Sequence, residues 1–205
     1  MKTGVLGGTF DPVHVGHVSM AETAAIKLGL DQVILVPAGR PTTRPSQSVT
    51  PSEHRLKMLR LAVKDKPRLA VSDIEIKRPG PSYTVDTLRE IKKNHGAKGE
   101  IYFILGWDSL EQLPQWREPS EIIKLCLLAA VPRPGCRKPD LNALEQKIPG
   151  ISGRVIFLNE PNIDISATEI RERIRSGETV ENLVPGPVAD YIKKHKLYTK
   201  AGVES

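Results

Sequence analysis

The sequence predicts an α/β protein built on a doubly wound parallel sheet. Three observations carry this. Short β-rich apolar runs alternate with helical patterns along the whole chain, the first run ends in a glycine pair that feeds a helix, and no internal repeat or low-complexity tract interrupts the alternation. The bulk composition agrees: 205 residues with 39% hydrophobic and 26% charged side chains lie in the ordinary globular range. At this length roughly 70% of the unfolded surface can be buried, so one domain with a sizeable core needs no staples.

The predicted strands are Gly4–Leu6, Gln32–Val36, Leu69–Ile76, Ile101–Leu105, Leu127–Val131 and Val155–Leu158. Between and after them the spacing predicts helices over 13–28, 51–64, 84–94, 119–125, 140–147, 168–176 and 187–195. The second helix is marked by a capping box, Thr50-Pro51-Ser52-Glu53, with proline at the first helical position and Leu56, Leu59 and Val63 as its apolar stripe. The proline-rich stretches at 37–51, 79–81 and 132–139 have loop lengths, and one domain spanning 1–205 with a helical part from about 166 is expected.

Composition also excludes function classes. No apolar run approaches the roughly 20 residues that span a bilayer, and the first residues lack a signal peptide's apolar stretch, so neither a membrane protein nor a secreted one is expected. Two cysteines, Cys126 and Cys136, are too few for a disulfide framework or a zinc site, which points to a reducing compartment, the cytoplasm. The net charge of +6 suits a nucleic-acid binder or an enzyme that gathers polyanionic small molecules. With aromatics at 4%, stacking platforms for single-stranded bases are not visible, and a nucleic-acid partner is not expected. The sequence leaves homo-oligomer formation open.

The first chemical motif is Gly7-Gly8-Thr9-Phe10-Asp11-Pro12-Val13-His14-Val15-Gly16-His17, directly after the first strand. Its glycines lie where backbone must approach a ligand closely, Asp11 reads as an N-cap and Pro12 as the first helical residue. His14 and His17, three apart, then share one helical face near a helix N-terminus, whose partial positive charge and free N–H groups suit a phosphate. The bland alternative is a tight turn with two incidental histidines. The segment is neither a Walker loop nor the Gly-x-Gly-x-x-Gly dinucleotide fingerprint.

This segment resembles the nucleotidyltransferase superfamily with a His-x-Gly-His signature, here His14-Val15-Gly16-His17. The resemblance implies a Rossmann-like nucleotidyltransferase fold. It also implies transfer of a nucleotidyl group from a nucleoside triphosphate to a phosphate acceptor, with pyrophosphate released and no covalent enzyme intermediate. The catalytic residues it implies are His14, His17 and Arg171, acting as electrostatic stabilisers rather than nucleophiles.

The second motif is Ile165-Ser166-Ala167-Thr168-Glu169-Ile170-Arg171. By itself Ser166-x-x-Glu169 is a capping box backed by Ile170 and Ile174, although Thr168 and Arg171 add a hydroxyl and a cationic fork to the same helix end. It is similar to the superfamily's second signature, Ile-Ser-x-Thr-x-Ile-Arg. On that resemblance Ser166, Thr168 and Arg171 hold the β- and γ-phosphates of ATP. Gly8, Thr9, Phe10, His17, Gly106 and Asp108 complete the implied ATP site, the last two facing adenosine.

The acceptor side rests on two further segments. Gly80-Pro81-Ser82-Tyr83-Thr84 reads as a turn and helix start, and Gly106-Trp107-Asp108-Ser109-Leu110 leads from a strand end to Trp116, an indole able to stack on a heterocycle or simply to pack. Together they resemble the bacterial nicotinate mononucleotide adenylyltransferases over nearly the whole chain. The resemblance implies ATP and nicotinate mononucleotide as substrates, with Tyr83, Thr84, Trp116, Arg133 and Arg44 on the acceptor. It also implies Mg²⁺ bound mainly through ATP phosphates; the sequence has no His/Cys/carboxylate cluster with metal-ligand spacing, so no protein metal site is expected.

The chain departs from the family pattern at Thr43-Arg44, where a His-Lys pair is common, and at Arg117, which either meets the acceptor's anion or faces solvent. The rival readings are a sister enzyme acting on nicotinamide mononucleotide, phosphopantetheine or CTP, and a non-catalytic nucleotide- or nucleic-acid-binding protein.

Overall fold

The computed structural model describes residues 1–42, 49–95 and 99–199 of the chain. Six strands form one sheet in the order β3-β2-β1-β4-β5-β6, and every adjacent pair is parallel. They are β1 (Lys2–Gly8), β2 (Gln32–Pro37), β3 (Leu69–Val71), β4 (Glu100–Gly106), β5 (Leu127–Val131) and β6 (Val155–Phe157). The expected doubly wound α/β class is thus what the chain adopts. Its strand order reverses between β1 and β4, and in open parallel sheets that reversal opens a crevice above the strand ends.

The two faces of the sheet are covered by different sets of helices. One face buries Leu6, Val33, Leu35, Ile104, Ala129 and Val131. Against it lie α1 (Val15–Lys27), α2 (Ser52–Ala62), α8 (Ala167–Arg175) and α9 (Gly186–Lys194), whose Ala21, Met58, Ile170 and Val188 join the same cluster. The other face buries Val5, Ile34, Val36, Phe103, Leu105, Leu128 and Ala130 beneath α4 (Thr84–His95), α5 (Trp107–Gln112), α6 (Pro119–Leu125) and α7 (Leu141–Lys147). Successive strand residues alternate between the clusters, as side chains of period two must. Because both faces are covered, the strands read as continuous apolar runs rather than as alternation.

Several expectations are corrected. The run 69–76 is not one strand: β3 stops at Val71, and α3 (Ile74–Lys77) follows. The Lys77 N–H donates to the Asp73 carbonyl and Lys77 Nζ pairs with the Asp73 carboxylate at 3.0 Å, closing a helical turn at that point. The capping box at Thr50 does not form, because the Thr50 N–H points to the Asp11 carboxylate (3.4 Å) and its carbonyl accepts from Arg55. Pro51 sits at the N-cap instead, and the buried stripe of α2 is Arg55, Met58, Leu59 and Ala62, with Leu56 only partly covered. The segment after β4, expected as a strand exit, folds at once into α5.

Between β2 and α2 the chain passes close over α3. A Cβ on Gly39 would overlap the Glu75 carbonyl oxygen, so this backbone approach requires glycine. We expect Gly39→Ala to destabilise the protein by about 1–3 kcal/mol, the usual cost of overpacking. At this chain length that is a drop of roughly 2–4 °C in Tm per kcal/mol, readable by thermal melting; an unchanged Tm would show that the contact relaxes freely.

Candidate active site

The site begins where β1 runs out. After Gly7 and Gly8 the backbone turns through Phe10, which takes the left-handed conformation (φ 50°) while its ring is 2% exposed. A left-handed bulky residue is uncommon and costs of order 1 kcal/mol or more, so the surrounding packing must hold it. The ring lies against Gly8, where a Cβ would approach it to 3.2 Å, and meets the His17 ring edge-on at 4.9 Å between centroids.

The helix then starts later than expected. Asp11 is not the N-cap; α1 begins at Val15 and His14 is its N-cap, with extended backbone (φ −136°). Asp11 is drawn away by partners far along the chain. Its carboxylate accepts from the Tyr198 hydroxyl at 2.7 Å and from the Thr50 N–H, and its carbonyl accepts from Arg171 Nη1 at 2.7 Å. At the new N-terminus the His14 N–H donates to His17 Nδ1 at 3.3 Å, which leaves the proton of the neutral His17 ring on Nε2. The two rings stack with centroids 3.7 Å apart. Gly16 makes room for this, since a Cβ there would lie 3.0 Å from His14 Nδ1.

Both imidazoles are held neutral. Burial, reinforced by the Arg133 charge, pushes His14 from 6.5 down to about 4. Burial, then His14 and Arg133, hold His17 well below its ordinary value. His14 Nδ1 is buried and faces the His17 backbone N–H at the helix start.

Opposite this helix lies a second helix N-terminus. Ser166 caps α8, its hydroxyl accepting from the Glu169 N–H at 3.1 Å. Arg171, one turn on, donates to the Thr168 hydroxyl (3.1 Å) as well as to the Asp11 carbonyl, and so ties α8 to the turn after β1. Thr9, Phe10, Asp11, His14, His17, Arg133, Ser166 and Thr168 surround a cavity of about 200 Å³. A neighbouring cavity of about 190 Å³ shares His14, His17 and Arg133 and extends over the end of β4 to Gly106, Asp108 and Trp116. The three shared side chains thus sit where two chambers meet at the β1–β4 reversal.

Arg133, just beyond β5, pairs with Asp108 at 2.7 Å while half exposed. Gly106 permits this, because a Cβ there would overlap the Asp108 carboxylate. Trp116 lines the second chamber and meets Phe103 edge-on at 6.0 Å. Tyr83 and Thr84 lie to one side: they are not among the lining residues of either chamber, and Tyr83 is covered by the Arg117 guanidinium at 4.7 Å. Arg117 is exposed, as one of its two expected positions has it, and it pairs with Asp86 and Glu118 on the surface. Arg44 lies outside the described residues. Sequence reasoning missed Arg55 and the partners of Asp11; the available signal was an arginine three and four residues before Met58 and Leu59, on an apolar stripe.

The starts of α1 and α8 thus line one cavity beside the His-x-Gly-His turn at the switch point of a parallel sheet, an arrangement suited to phosphate groups. Residues 5–173 match the family model described as cytidylyltransferase-like. A Dehalococcoides mccartyi protein named probable nicotinate-nucleotide adenylyltransferase is 52% identical, the match covering 98% of each chain. The chain belongs to the nicotinate-nucleotide adenylyltransferase branch of the cytidylyltransferase-like family. A Thermomicrobium roseum relative of the same name is 41% identical over 96% of this chain and 91% of its own. The solved Plasmodium falciparum nicotinic acid mononucleotide adenylyltransferase in complex with NaAD shares the fold, with a TM-score of 0.80 and 21% identity over 96% of this chain and 97% of its own.

The neutral histidines carry a pH signature. An unfolded histidine titrates near 6.5 and native His14 near 4, so between these values the unfolded state binds the extra proton. This contribution to stability is whole above pH 6.5 and is lost as pH falls towards 4, at roughly 1.4 kcal/mol per pH unit. We expect the urea midpoint of His14→Asn to fall less than wild type between about pH 7 and pH 4.5; equal losses would mean that His14 is not buried neutral.

Proposed function

We propose that this protein transfers the adenylyl group of ATP to nicotinate mononucleotide, giving deamido-NAD and pyrophosphate. The observation that carries the reading is the 52% identity over 98% of the chain to a relative of that name, joined to a cavity lined by His14, His17, Ser166 and Thr168 from the starts of two helices. An oxygen of the acceptor's phosphate attacks the α-phosphorus of ATP, and the bond from that phosphorus to the α–β bridging oxygen breaks, so that pyrophosphate leaves with the electron pair. The acceptor is already anionic at neutral pH, so no strong base is needed. What the reaction needs is alignment and relief of repulsion between two polyanions.

The residues divide this task. His17, its proton on Nε2, donates a hydrogen bond to the reacting phosphate without adding a full charge, and His14 stacks against it at the helix end. Ser166 and Thr168 take the β- and γ-phosphates, with Arg171 meeting the charge that collects on the departing pyrophosphate. Gly8, Thr9 and Phe10 cradle the triphosphate, and Gly106 and Asp108 face the adenosine. Trp116 stacks on the nicotinate ring, with Tyr83 and Thr84 beside it. Arg133 is assigned to the acceptor phosphate; its exposed pair with Asp108 is of the kind worth about 0–1 kcal/mol, so exchanging it for phosphate costs little.

Apart from the Asp11 carboxylate, which already accepts from Tyr198 and Thr50, the first chamber is lined by hydroxyls, imidazoles and a guanidinium, which suit phosphate oxygens better than a hard cation. Mg²⁺ would be carried by the triphosphate that Ser166, Thr168 and Arg171 hold, and would supply neutralisation of phosphate charge there.

Pyrophosphate release with ATP and Mg²⁺ tests the reading, comparing nicotinate mononucleotide, nicotinamide mononucleotide and phosphopantetheine. The first should be strongly preferred; preference for another acceptor would overturn the acceptor assignment, and release with none would overturn the activity. His17→Ala should lower kcat by about 100-fold with the fold intact, the usual cost of one transition-state donor. Trp116→Ala should raise the acceptor KM with a smaller effect on kcat, and unchanged acceptor kinetics would assign the indole to packing.

A further inference from the structure

Arg55 is the largest fully buried side chain of the protein among the described residues, 1% exposed on the inner face of α2. Burying a guanidinium costs several kcal/mol unless its donors are used. Here they are used in an unusual way, because the acceptors are backbone carbonyls from three separate stretches. Nε donates to the Thr50 carbonyl (2.8 Å), Nη1 to the Thr9 carbonyl (2.8 Å) and Nη2 to the Ala38 carbonyl (2.7 Å) and, more weakly, to that of Gly39 (3.5 Å). Asp11, itself 2% exposed, lies near enough to offset the charge.

One of these carbonyls belongs to the phosphate chamber, and two lead to the segment assigned above to the acceptor. Thr9 is in the turn that lines the phosphate chamber. Ala38 and Gly39 lead away from β2, and the Gly39 N–H donates to the Ser82 hydroxyl at 2.9 Å, while the Ser82 N–H donates to the Arg40 carbonyl at 2.9 Å. Ser82 immediately precedes Tyr83 and Thr84. Below it, buried Glu75 accepts from the Thr87 hydroxyl of α4 at 2.5 Å, closing the other side of the segment. A continuous path of hydrogen bonds therefore runs from Thr9 through Arg55 to Gly39 and Ser82.

We infer that Arg55 is a positioning residue whose planar fork sets the spacing between the triphosphate turn and the acceptor segment, and thereby the alignment of the two substrates. The inference rests on the adenylyl-transfer reading for the identity of those substrates. Only a guanidinium has three nitrogens spread to reach Thr50, Thr9 and Ala38 at once; a lysine ammonium keeps the charge but cannot span them. In-line transfer is sensitive to such spacing, since a misplacement of about 1 Å can cost on the order of 100-fold in rate.

The test compares Arg55→Lys with Met58→Ala, a cavity variant one turn along the same buried face, at a temperature where circular dichroism shows both folded. Arg55→Lys should lose about 10- to 100-fold in kcat/KM for ATP and for nicotinate mononucleotide, whereas Met58→Ala should lose stability with Michaelis constants unchanged. Wild-type kinetics in folded Arg55→Lys would overturn the inference, as would an equal kinetic loss in Met58→Ala, which would mean mere loosening of α2. If Arg55→Lys does not fold, Ser82→Ala decides: it should raise the acceptor KM and spare that of ATP, and an unchanged acceptor KM overturns the path. Should the wild type release no pyrophosphate, the activity reading fails instead. Calorimetric titration of ATP into wild type and Arg55→Lys then still decides the inference: weaker binding to the variant upholds it and equal binding overturns it.

Discussion

The site depends on the reversal of strand order between β1 and β4. These neighbours lie parallel in register from Lys2 opposite Glu100 to Leu6 opposite Ile104, yet the chain leaves β1 towards α1 on one face and β4 towards α5 on the other. No connection can cover the gap between the two exits, so a crevice forms there whatever side chains line it. Gly7 and Gly106 lie on its floor, and its rim is closed by α8 and by Arg133 from the neighbouring strand end.

Within that crevice the protein concentrates donors more than charges. His14 is buried, His17 half-buried and both are held neutral, and two helix N-termini add partial positive charge without the desolvation cost of a buried cation. The full charges stand at the edges, where each has a partner that a polyanion can replace or join. Arg133 lies on Asp108 and Arg171 on the Asp11 carbonyl and the Thr168 hydroxyl. This division suits a reaction between anions, in which a fixed excess of charge would hold product as firmly as it holds substrate.

The turn that carries the histidines is held from behind by long-range contacts. Asp11 accepts from Tyr198, 187 residues away, and from Thr50, while Arg171, 160 residues away, takes its carbonyl. Buried groups hydrogen-bonded this fully are costly to disturb, since removing one partner strands the other in a water-free site. The left-handed Phe10 survives for the same reason: its strain is small against the packing and hydrogen bonds on both sides of it.

The sheet was legible because both of its faces are covered, so its strands are unbroken apolar runs such as Val33-Ile34-Leu35-Val36 and helical spacing falls between them. The two signatures were legible because each packs its chemistry into one helix start. Hidden from the sequence was every feature whose partner lies far along the chain. Asp11 looked like a cap because aspartate caps helices locally, but tertiary contacts claimed its oxygens. Thr50, expected as a cap, is a partner of Asp11 and Arg55, and Arg55, which no local pattern singled out, is the buried tie of three loops. The sequence by itself determined the fold class, since periodicity acts over a few positions, and carried the phosphate-handling chemistry through the resemblance of its two signatures to a known superfamily. Only the tertiary structure decided how the two half-sites are spaced, because that spacing is made by backbone carbonyls, which carry no residue-type signal, meeting one side chain.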